Sequence, residues 1–337
     1  MEYVSVLQQI DAKHPIESDV YGNGGVIGEL EKKFTEATGK ERAIYMPTGT
    51  LANQLAIDAL SDDKTKVIVQ QMSHVFCDEA DAAQAVFNKR LVPLAEGEAY
   101  FTKSELQKAI EKLSASEYYY DGIGAVSIEN PVRKAYGAMV PFDEIKQISE
   151  YCRQNSIKLH LDGARLYLAS AWSGVSIKEY SSCFDTVYIS LYKYLGANGG
   201  AILCGDASVI SKMQRQIKIH GGNIMSNWTN AAMALYKLEN IEGVLANVVK
   251  RAAELTIGLN KIKGIHVAAI PDGTNIYGME LSENVNTDKM RDRLKKEFKI
   301  EIRQPGESGK IMLSMNETVL NQSVTSILNA FEKTISS

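Results

Sequence analysis

Short apolar runs alternate with longer amphipathic segments along the first part of the chain. The runs of strand length are "RAIYMP", "KVIVQ", "RLVPL", "GAVSIEN", "IKLHLD", "TVYIS" and "GAILCG". The segments with helical spacing are "TLANQLAIDALS", "DEADAAQAVF", "SELQKAIEKL", "DEIKQISEYCRQN" and "ASVISKMQRQIKI". This alternation predicts an α/β fold, with an open, mostly parallel sheet covered by helices. Ligands of such sheets bind in crevices outside the carboxyl ends of the strands.

The pattern changes after about residue 226, where a long helical stretch runs toward "LNKIKG". The segments that follow read as strand, strand, helix, strand and helix: "HVAAI", "NIYGMEL", "DKMRDRLKKEF", "KIMLSM" and "SVTSILNAFEK". Fewer strands and less alternation indicate a smaller α+β domain. We therefore predict an N-terminal arm over residues 1–14, a large domain over 15–245 and a small C-terminal domain over 246–337.

Composition excludes several classes of protein. The chain has 337 residues, 45% hydrophobic and 23% charged, with a net charge of -4. This mild acidity favours neither nucleic acid nor an anionic membrane surface as a partner. No apolar run approaches the roughly 20 residues that span a bilayer, and the start of the chain does not read as a signal peptide. The composition therefore predicts a cytoplasmic protein without a membrane or nucleic-acid partner.

The cysteines give no sign of a disulfide framework or a metal centre. Cys77, Cys152, Cys183 and Cys204 are widely scattered, and the chain has neither a CxxC pair nor a Cys/His cluster. We therefore predict reduced thiols and no bound metal. Two glycine-rich segments, "YGNGGVIGEL" and "GESGKI", lack the strand or the glycine spacing of a nucleotide-binding loop, and we interpret both as turns.

Two predicted strands end at residues that suit a ligand. In "MPTGTLANQ" a strand ends at Met46 and a helix begins near Thr50. Thr48, Gly49 and Thr50 thus lie where free N–H groups and the helix dipole favour an anion, unless Thr48 or Thr50 only caps the helix. His74 follows the strand "KVIVQ" and is either a structural histidine or a ligand-binding one.

Two further strand ends carry charged residues. In "HLDGARLYLA", Asp162 and Arg165 follow an apolar run and form either a solvated turn or the floor of a ligand site. In "YISLYKYLGANGG", Lys193 interrupts an apolar and aromatic stretch between two strands. Most lysines are solvated, but a lysine held among apolar residues has a disfavoured ammonium form and becomes a nucleophile that can form a Schiff base.

Together these side chains match the needs of pyridoxal 5′-phosphate. The cofactor's phosphate needs a helix N-terminus, its ring face a stacking partner, its ring nitrogen a carboxylate and its aldehyde a lysine. On this interpretation Asp162 pairs with the ring nitrogen and is not a turn residue.

The chain resembles the threonine aldolase and β-eliminating lyase group of fold-type-I, aspartate-aminotransferase-like enzymes. The resemblance is carried, in this order, by "DVYG", "GKERAIYMPTGTLAN", "SIEN", "HLDGAR" and "YKYLGANGGAILCG". It implies that Lys193 forms the Schiff base, that Asp162 binds the ring nitrogen and that His74 stacks on the ring. It further implies phosphate contacts from Gly49 and Thr50, and a place for Arg165 beside the cofactor and the substrate carboxylate. Tyr21 and Lys218 match residues that reach the site of a neighbouring subunit.

Several positions depart from the family pattern. The chain begins "MEYVSVLQQ" where an "RSDT"-like stretch is usual, and it has "ENPVRK" in place of "ENTHN". Tyr192 and Tyr194 flank the lysine, where the family has serine and glycine. Two arginines of the family are replaced, by Met225 and Met312. Arg133 and Arg303 are the candidates to supply a replacement guanidinium.

The resemblance implies a lyase that cleaves a small β-hydroxy amino acid, such as threonine, allo-threonine or a phenylserine-like substrate, to glycine and an aldehyde. Lys193, His74 and Asp162 would be the catalytic residues, with His74 as the base toward the β-hydroxyl group. The alternatives are β-elimination, which needs the same cofactor, and a non-catalytic binding protein that retains the fold. The family also implies a homodimer or homotetramer.

Overall fold

The computed structural model describes residues 2–306 and 308–335, and it divides them into two compact units. The larger unit comprises the described residues as far as Ala135 together with Met139–Ile241. The smaller unit comprises Tyr136–Ala138 and the described residues from Glu242 onwards. The predicted limits of the arm and of the two domains stay predictions. Within the described residues, no helix is both long and apolar enough to cross a bilayer.

The larger unit is built on a seven-stranded sheet. Its strands are β1 (Arg42–Met46), β2 (Lys66–Gln70), β3 (Arg90–Leu94), β4 (Ile123–Glu129), β5 (Lys158–Asp162), β6 (Thr186–Ser190) and β7 (Ala201–Gly205). Their order across the sheet is β1-β7-β6-β5-β4-β2-β3. Strand β7 is antiparallel to both of its neighbours, and every other pair is parallel. The predicted α/β class with a mostly parallel sheet is confirmed.

Burial explains why these strands read as continuous apolar runs. Every residue of β2, β4, β6 and β7 is buried, as expected for strands covered on both faces. Because β7 runs against both β6 and β1, strand β1 points the same way as the parallel strands. The carboxyl ends of β1, β2, β4, β5 and β6 therefore lie at one edge of the sheet.

Helices follow or precede most strands. In the described residues they are α1 (Glu2–Lys13), α2 (Gly25–Thr38), α3 (Gly49–Ser61), α4 (His74–Cys77), α5 (Ala82–Phe87), α6 (Lys103–Ser116), α7 (Phe142–Gln154), α8 (Leu166–Ser173), α9 (Ile177–Ser182), α10 (Leu191–Tyr194), α11 (Ala207–Ile210), α12 (Met213–Ile219), α13 (Trp228–Leu238), α14 (Ile241–Leu259), α15 (Thr287–Phe298) and α16 (Val324–Ile335). Helix α3 packs on the sheet through Leu51, Leu55 and Ala56, which join a cluster with Ile44 and Leu203.

Four predicted segments differ from the structure. The helix expected over "DEADAAQAVF" is confirmed only over Ala82–Phe87, because Ala80 and Asp81 have φ angles of 50° and 55°, which are not helical. The stretches expected as single helices over "ASVISKMQRQIKI" and beyond residue 226 each divide into two. The turn expected over "YGNGGVIGEL" ends early, since α2 begins at Gly25. The segment "GESGKI" includes Glu307, which lies outside the described residues.

The smaller unit contains a three-stranded antiparallel sheet in the order β10-β9-β8. Its strands are β8 (Ile265–Ala269), β9 (Ile276–Leu281) and β10 (Ile311–Ser314), and a short 3₁₀ helix spans Glu317–Leu320. Met279, Met290, Leu294 and Phe331 belong to its buried core. The predicted α+β class of this part is confirmed.

Candidate active site

A cavity of about 280 Å³ opens at the carboxyl edge of the larger sheet. This volume is near the lower end of small-molecule sites, which begin at about 300 Å³. Six of the residues predicted from the sequence line it: Gly49, Thr50, His74, Asp162, Arg165 and Lys193. The cavity thus lies where an open sheet of this kind binds its ligands.

The N-terminus of α3 forms one wall of the cavity. Thr48 has an extended backbone, and its hydroxyl accepts the N–H of Leu51 at 3.2 Å. Of the two threonines that the sequence offered as the helix cap, Thr48 is therefore the one that caps α3. The N–H groups of Gly49 and Thr50 have no acceptor among the described residues. A Cβ atom on Gly49 would lie 2.0 Å from the hydroxyl oxygen of Tyr188, so this position requires glycine. The wall therefore offers free N–H groups to an anion.

Asp162 ends β5, and its carboxylate is buried. The Oδ1 atom accepts the N–H of Ala164 at 3.1 Å, and Oδ2 accepts an amide hydrogen of Asn53 at 2.9 Å. A solvated turn would leave this side chain in water. The structure instead holds it in the cavity wall with a fixed orientation.

His74 begins the short helix after β2, and two glutamates hold it. Its Nδ1 lies 2.9 Å from Oε1 of Glu79, and its backbone N–H donates to Oε2 of Glu129 at 2.7 Å. The hydrogen bond to Glu79 raises the pKa of His74, although burial opposes it. Burial raises the pKa of Glu79, and the nearby charge of Asp162 adds to this effect. The pair fixes the plane of the imidazole ring.

Lys193 lies on α10, directly after β6. The sequence predicted an amine buried among apolar residues, but the structure leaves Lys193 half-buried on the cavity wall. Its Nζ lies 5.0 Å from the ring centre of Tyr192, within the range of a cation–π interaction. The amine is therefore accessible to a ligand in the cavity.

Arg165 is the half-buried N-cap residue of α8 and supplies a guanidinium to the cavity. No carboxylate of the described residues forms an ion pair with it. A guanidinium in this state can pair with an anionic ligand through two parallel hydrogen bonds.

Tyr21 and Lys218 do not line the cavity of their own chain. They lie together on the surface, with Lys218 Nζ 5.5 Å from the ring centre of Tyr21. The N–H of Tyr21 donates to the carbonyl oxygen of Met225 at 2.7 Å, and 67% of Met225 is exposed.

The candidate replacement arginines lie elsewhere. Arg133 donates to Asp78 Oδ2 at 2.6 Å and does not line the cavity. Arg303 and Met312 belong to the smaller unit, where Met312 is paired with Gly278 across two strands.

Sequence reasoning missed the buried groups that support the site, namely Asn53, Glu79 and Glu129. The side-chain atoms of His74, Glu79 and Asp162 that could bind a metal ion lie within 4.8 Å of one another, as a metal site would require. However, amide hydrogens of Asn53 bind both Glu79 and Asp162, which favours a hydrogen-bonded network over a metal centre. Glu129 lies in the quoted "SIEN", but nothing local to Asn53 or Glu79 marks either residue.

The groups on the cavity wall fit pyridoxal 5′-phosphate. Free N–H groups at the start of α3 suit its phosphate, and the buried Asp162 suits its ring nitrogen. The imidazole of His74 can lie against the ring, and the accessible amine of Lys193 can bind the aldehyde.

The chain is similar to known proteins over most of its length. The model of the β-eliminating lyase family matches residues 5–282. A low-specificity L-threonine aldolase of Candida albicans is 34% identical over 222 residues, which are 65% of this chain and 59% of that protein. The chain thus matches less than two thirds of the Candida protein's length.

Two further similarities cover more of the chain. The "Probable low-specificity L-threonine aldolase" of Schizosaccharomyces pombe is 32% identical over 271 residues, 80% of this chain and 69% of that protein. The solved structure of a proposed L-allo-threonine aldolase from Listeria monocytogenes has a TM-score of 0.83 and 27% identity, covering 98% of this chain and 93% of that one.

Proposed function

Because the chain belongs to the β-eliminating lyase family, we propose that it is a pyridoxal-phosphate-dependent lyase that cleaves a small β-hydroxy amino acid to glycine and an aldehyde. The observation that carries the proposal is the convergence of Lys193, Asp162 and His74 on one cavity. The relatives named as threonine aldolases support this reaction over β-elimination.

Each cavity residue has a distinct task in this proposal. Bound pyridoxal phosphate supplies an electron sink that stabilises negative charge at the α-carbon of the substrate. Lys193 would hold the cofactor through its amine, the one nucleophile of this kind among the described residues that line the cavity. Asp162 keeps the ring nitrogen protonated, and Gly49 and Thr50 bind the phosphate through their N–H groups. Arg165 pairs with the substrate carboxylate and so orients the bond to be broken.

His74 is the proposed base toward the β-hydroxyl group, directly or through a water molecule. When Nδ1–H donates to Glu79, the neutral ring leaves Nε2 as its acceptor. Nε2 takes the hydroxyl proton as the Cα–Cβ bond breaks, and the carboxylate of Glu79 stabilises the resulting imidazolium. Since Glu79 raises the pKa of His74, this role needs a pH above that raised value.

Among the described residues Arg165 supplies the one guanidinium that lines the cavity, and the resemblance implies a second from position 312, where this chain has methionine. Charge-assisted hydrogen bonds contribute about 1.5–3 kcal/mol, so a methionine at position 312 in place of an arginine should raise KM for threonine roughly ten- to a hundredfold. We expect weak turnover of threonine and a preference for a larger, more apolar β-substituent, as in phenylserine.

Glycine release from threonine, allo-threonine and phenylserine tests this expectation, with Met312→Arg as the comparison. The variant should lower KM for threonine. Tight, efficient use of threonine by the wild type would contradict the assigned place of Met312, and no glycine from any of the three would contradict the proposed function.

The proposed assembly is a homodimer, or a tetramer of two dimers, with Tyr21 and Lys218 in the neighbouring subunit's site. Its support is an exposed apolar surface around this pair, formed by Val20, Ile219, Ile224 and Met225. Monomeric proteins rarely expose such clusters without a partner. The cytoplasmic location is a proposal too, and the four free cysteines support it.

Subunit exchange tests this assembly. Tyr21→Ala and Lys193→Ala proteins are each expected to have low activity. After mixing and exchange, random dimers should restore about a quarter of the sites, because half of the dimers are mixed and each contains one intact site. No recovery, despite exchange seen by mass spectrometry, would place Tyr21 outside the neighbour's site; a fully active monomer in light scattering would contradict the dimer.

A further inference from the structure

Two fully buried residues, Asn53 on α3 and His160 on β5, border the site without lining the cavity. The amide nitrogen of Asn53 lies 2.8 Å from Oε1 of Glu79 and 2.9 Å from Oδ2 of Asp162. Its amide oxygen lies 3.0 Å from Nε2 of His160. One amide thus joins three groups from separate parts of the chain.

The two carboxylates set the orientation of this amide, and the amide oxygen then pairs with the tautomer of His160 that carries its hydrogen on Nε2. Complete burial lowers the pKa of His160 to about 3, so the ring is neutral and has one donor and one acceptor. Its Nδ1 lies 2.8 Å from the hydroxyl of Thr186, which can donate to it. Nε2–H then donates to the oxygen of Asn53, and both amide hydrogens face the carboxylates. A flipped amide would place its oxygen against two carboxylate oxygens, which is repulsive.

We propose that Asn53 and His160 are positioning residues, in which neutral His160 fixes the Asn53 amide so that its two hydrogens hold Asp162 and Glu79 in their ionised forms. The inference rests on the proposed function, since it concerns the carboxylate assigned to the cofactor's ring nitrogen and the one that orients His74.

The charges around the two carboxylates explain why these hydrogen bonds are needed. Glu79 and Asp162 lie close together in a buried region, where the charge of Asp162 raises the pKa of Glu79. Glu129 at the end of β4 adds a third carboxyl group, and the hydroxyl of Tyr188 approaches from β6. In the described part of the chain the basic groups that line the neighbouring cavity are Arg165, Lys193 and the titratable His74. Hydrogen bonds to the charged form counter the repulsion, and Asn53 donates one to each carboxylate.

The first test measures affinity for pyridoxamine 5′-phosphate as a function of pH, because this probe forms no covalent bond with Lys193. The Asn53 hydrogen bond favours the charged carboxylate that pairs with the ring nitrogen of the probe, so its loss should weaken binding first on the acid side. We call the fall in affinity toward low pH the acid limb. In Asn53→Leu this acid limb should move to a higher pH by roughly one unit, so that at pH values below it the probe binds about tenfold more weakly than in the wild type. Gln54→Leu is the matched control on the same helix, since its buried amide oxygen has no partner among the described residues. Its acid limb should coincide with that of the wild type.

The second test separates positioning from the filling of space. The amide N–H of His160→Gln can still donate to Asn53, whereas His160→Leu cannot. We expect the wild-type acid limb in His160→Gln and the shifted limb in His160→Leu. Equal behaviour of the two variants would overturn the proposal.

Nitrogen NMR of the cofactor-free protein gives a readout that does not depend on the cofactor, and only five histidines need assignment. His160 should carry its hydrogen on Nε2 and should not titrate between about pH 5 and 8. A hydrogen on Nδ1, or an unmoved acid limb in folded Asn53→Leu, overturns the inference. Absence of cofactor binding in the wild type would instead overturn the proposed function. If Asn53→Leu does not fold, the NMR result and the His160 variants decide.

Discussion

Lys193→Ala is expected to abolish turnover and to remove the absorption band of lysine-bound pyridoxal phosphate. Lys193 is the only lysine that lines the cavity in the described part of the chain. Its amine alone can hold the cofactor covalently there, and alanine has no nucleophile. The loss in kcat should be about 10⁴-fold or more, as for other residues that form covalent intermediates.

Absorbance of the purified variant and steady-state kinetics measure this effect. Lys212→Ala is a suitable control, because Lys212 is exposed and does not line the cavity. The control should keep the band and the wild-type rate. An unchanged band in Lys193→Ala would show that a different lysine binds the cofactor.

Asp162→Asn is expected to leave some cofactor bound but to lower kcat by several orders of magnitude. Asparagine has nearly the same shape and can still accept the N–H of Ala164, but it has no charge to keep the ring nitrogen protonated. An error in protonation state alone can cost about 10⁴-fold in rate. Both variants lose the acceptor for Asn53, and Asp162→Ala should lose at least as much activity because it also removes the acceptor for the N–H of Ala164.

Kinetics and cofactor affinity together measure this second effect. Asp143→Asn is a control on the protein surface, where the exposed Asp143 pairs with Lys146 three residues away. Near-normal rates in Asp162→Ala would rule out the role of this carboxylate in stabilising charge at the α-carbon.

The features that could be predicted from the sequence are local ones. Buried strands such as "KVIVQ" and "TVYIS" are short, apolar and bounded by polar residues, so the mostly parallel sheet and its carboxyl edge were predictable, and the fold-type-I class is confirmed. Residues at the strand ends, such as Asp162 and His74, could then be assigned to one edge. The departures arise where the sequence gives no local sign of the backbone conformation, as at Ala80, whose positive φ angle keeps it out of the helix that begins at Ala82 although alanine favours helices.

The supporting network could not be predicted, because its contacts join distant parts of the chain. Asn53 is 26 residues from Glu79 and 109 residues from Asp162. An asparagine gives no indication of either contact. Within the sequence, Asn53 is simply a polar residue on the buried face of a helix, where an apolar residue is expected. For Lys193 the local sequence was misleading. Its apolar neighbours predicted a buried amine, but the residue is half-buried and its amine is accessible from the cavity.

Product analysis of the wild-type enzyme tests the central claim most directly. Purified protein with pyridoxal 5′-phosphate is incubated with phenylserine or allo-threonine, and all small products are quantified by mass spectrometry. The proposed carbon–carbon cleavage predicts glycine and the matching aldehyde in equal amounts. A 2-oxo acid with ammonia, and no glycine, would show β-elimination and contradict the account.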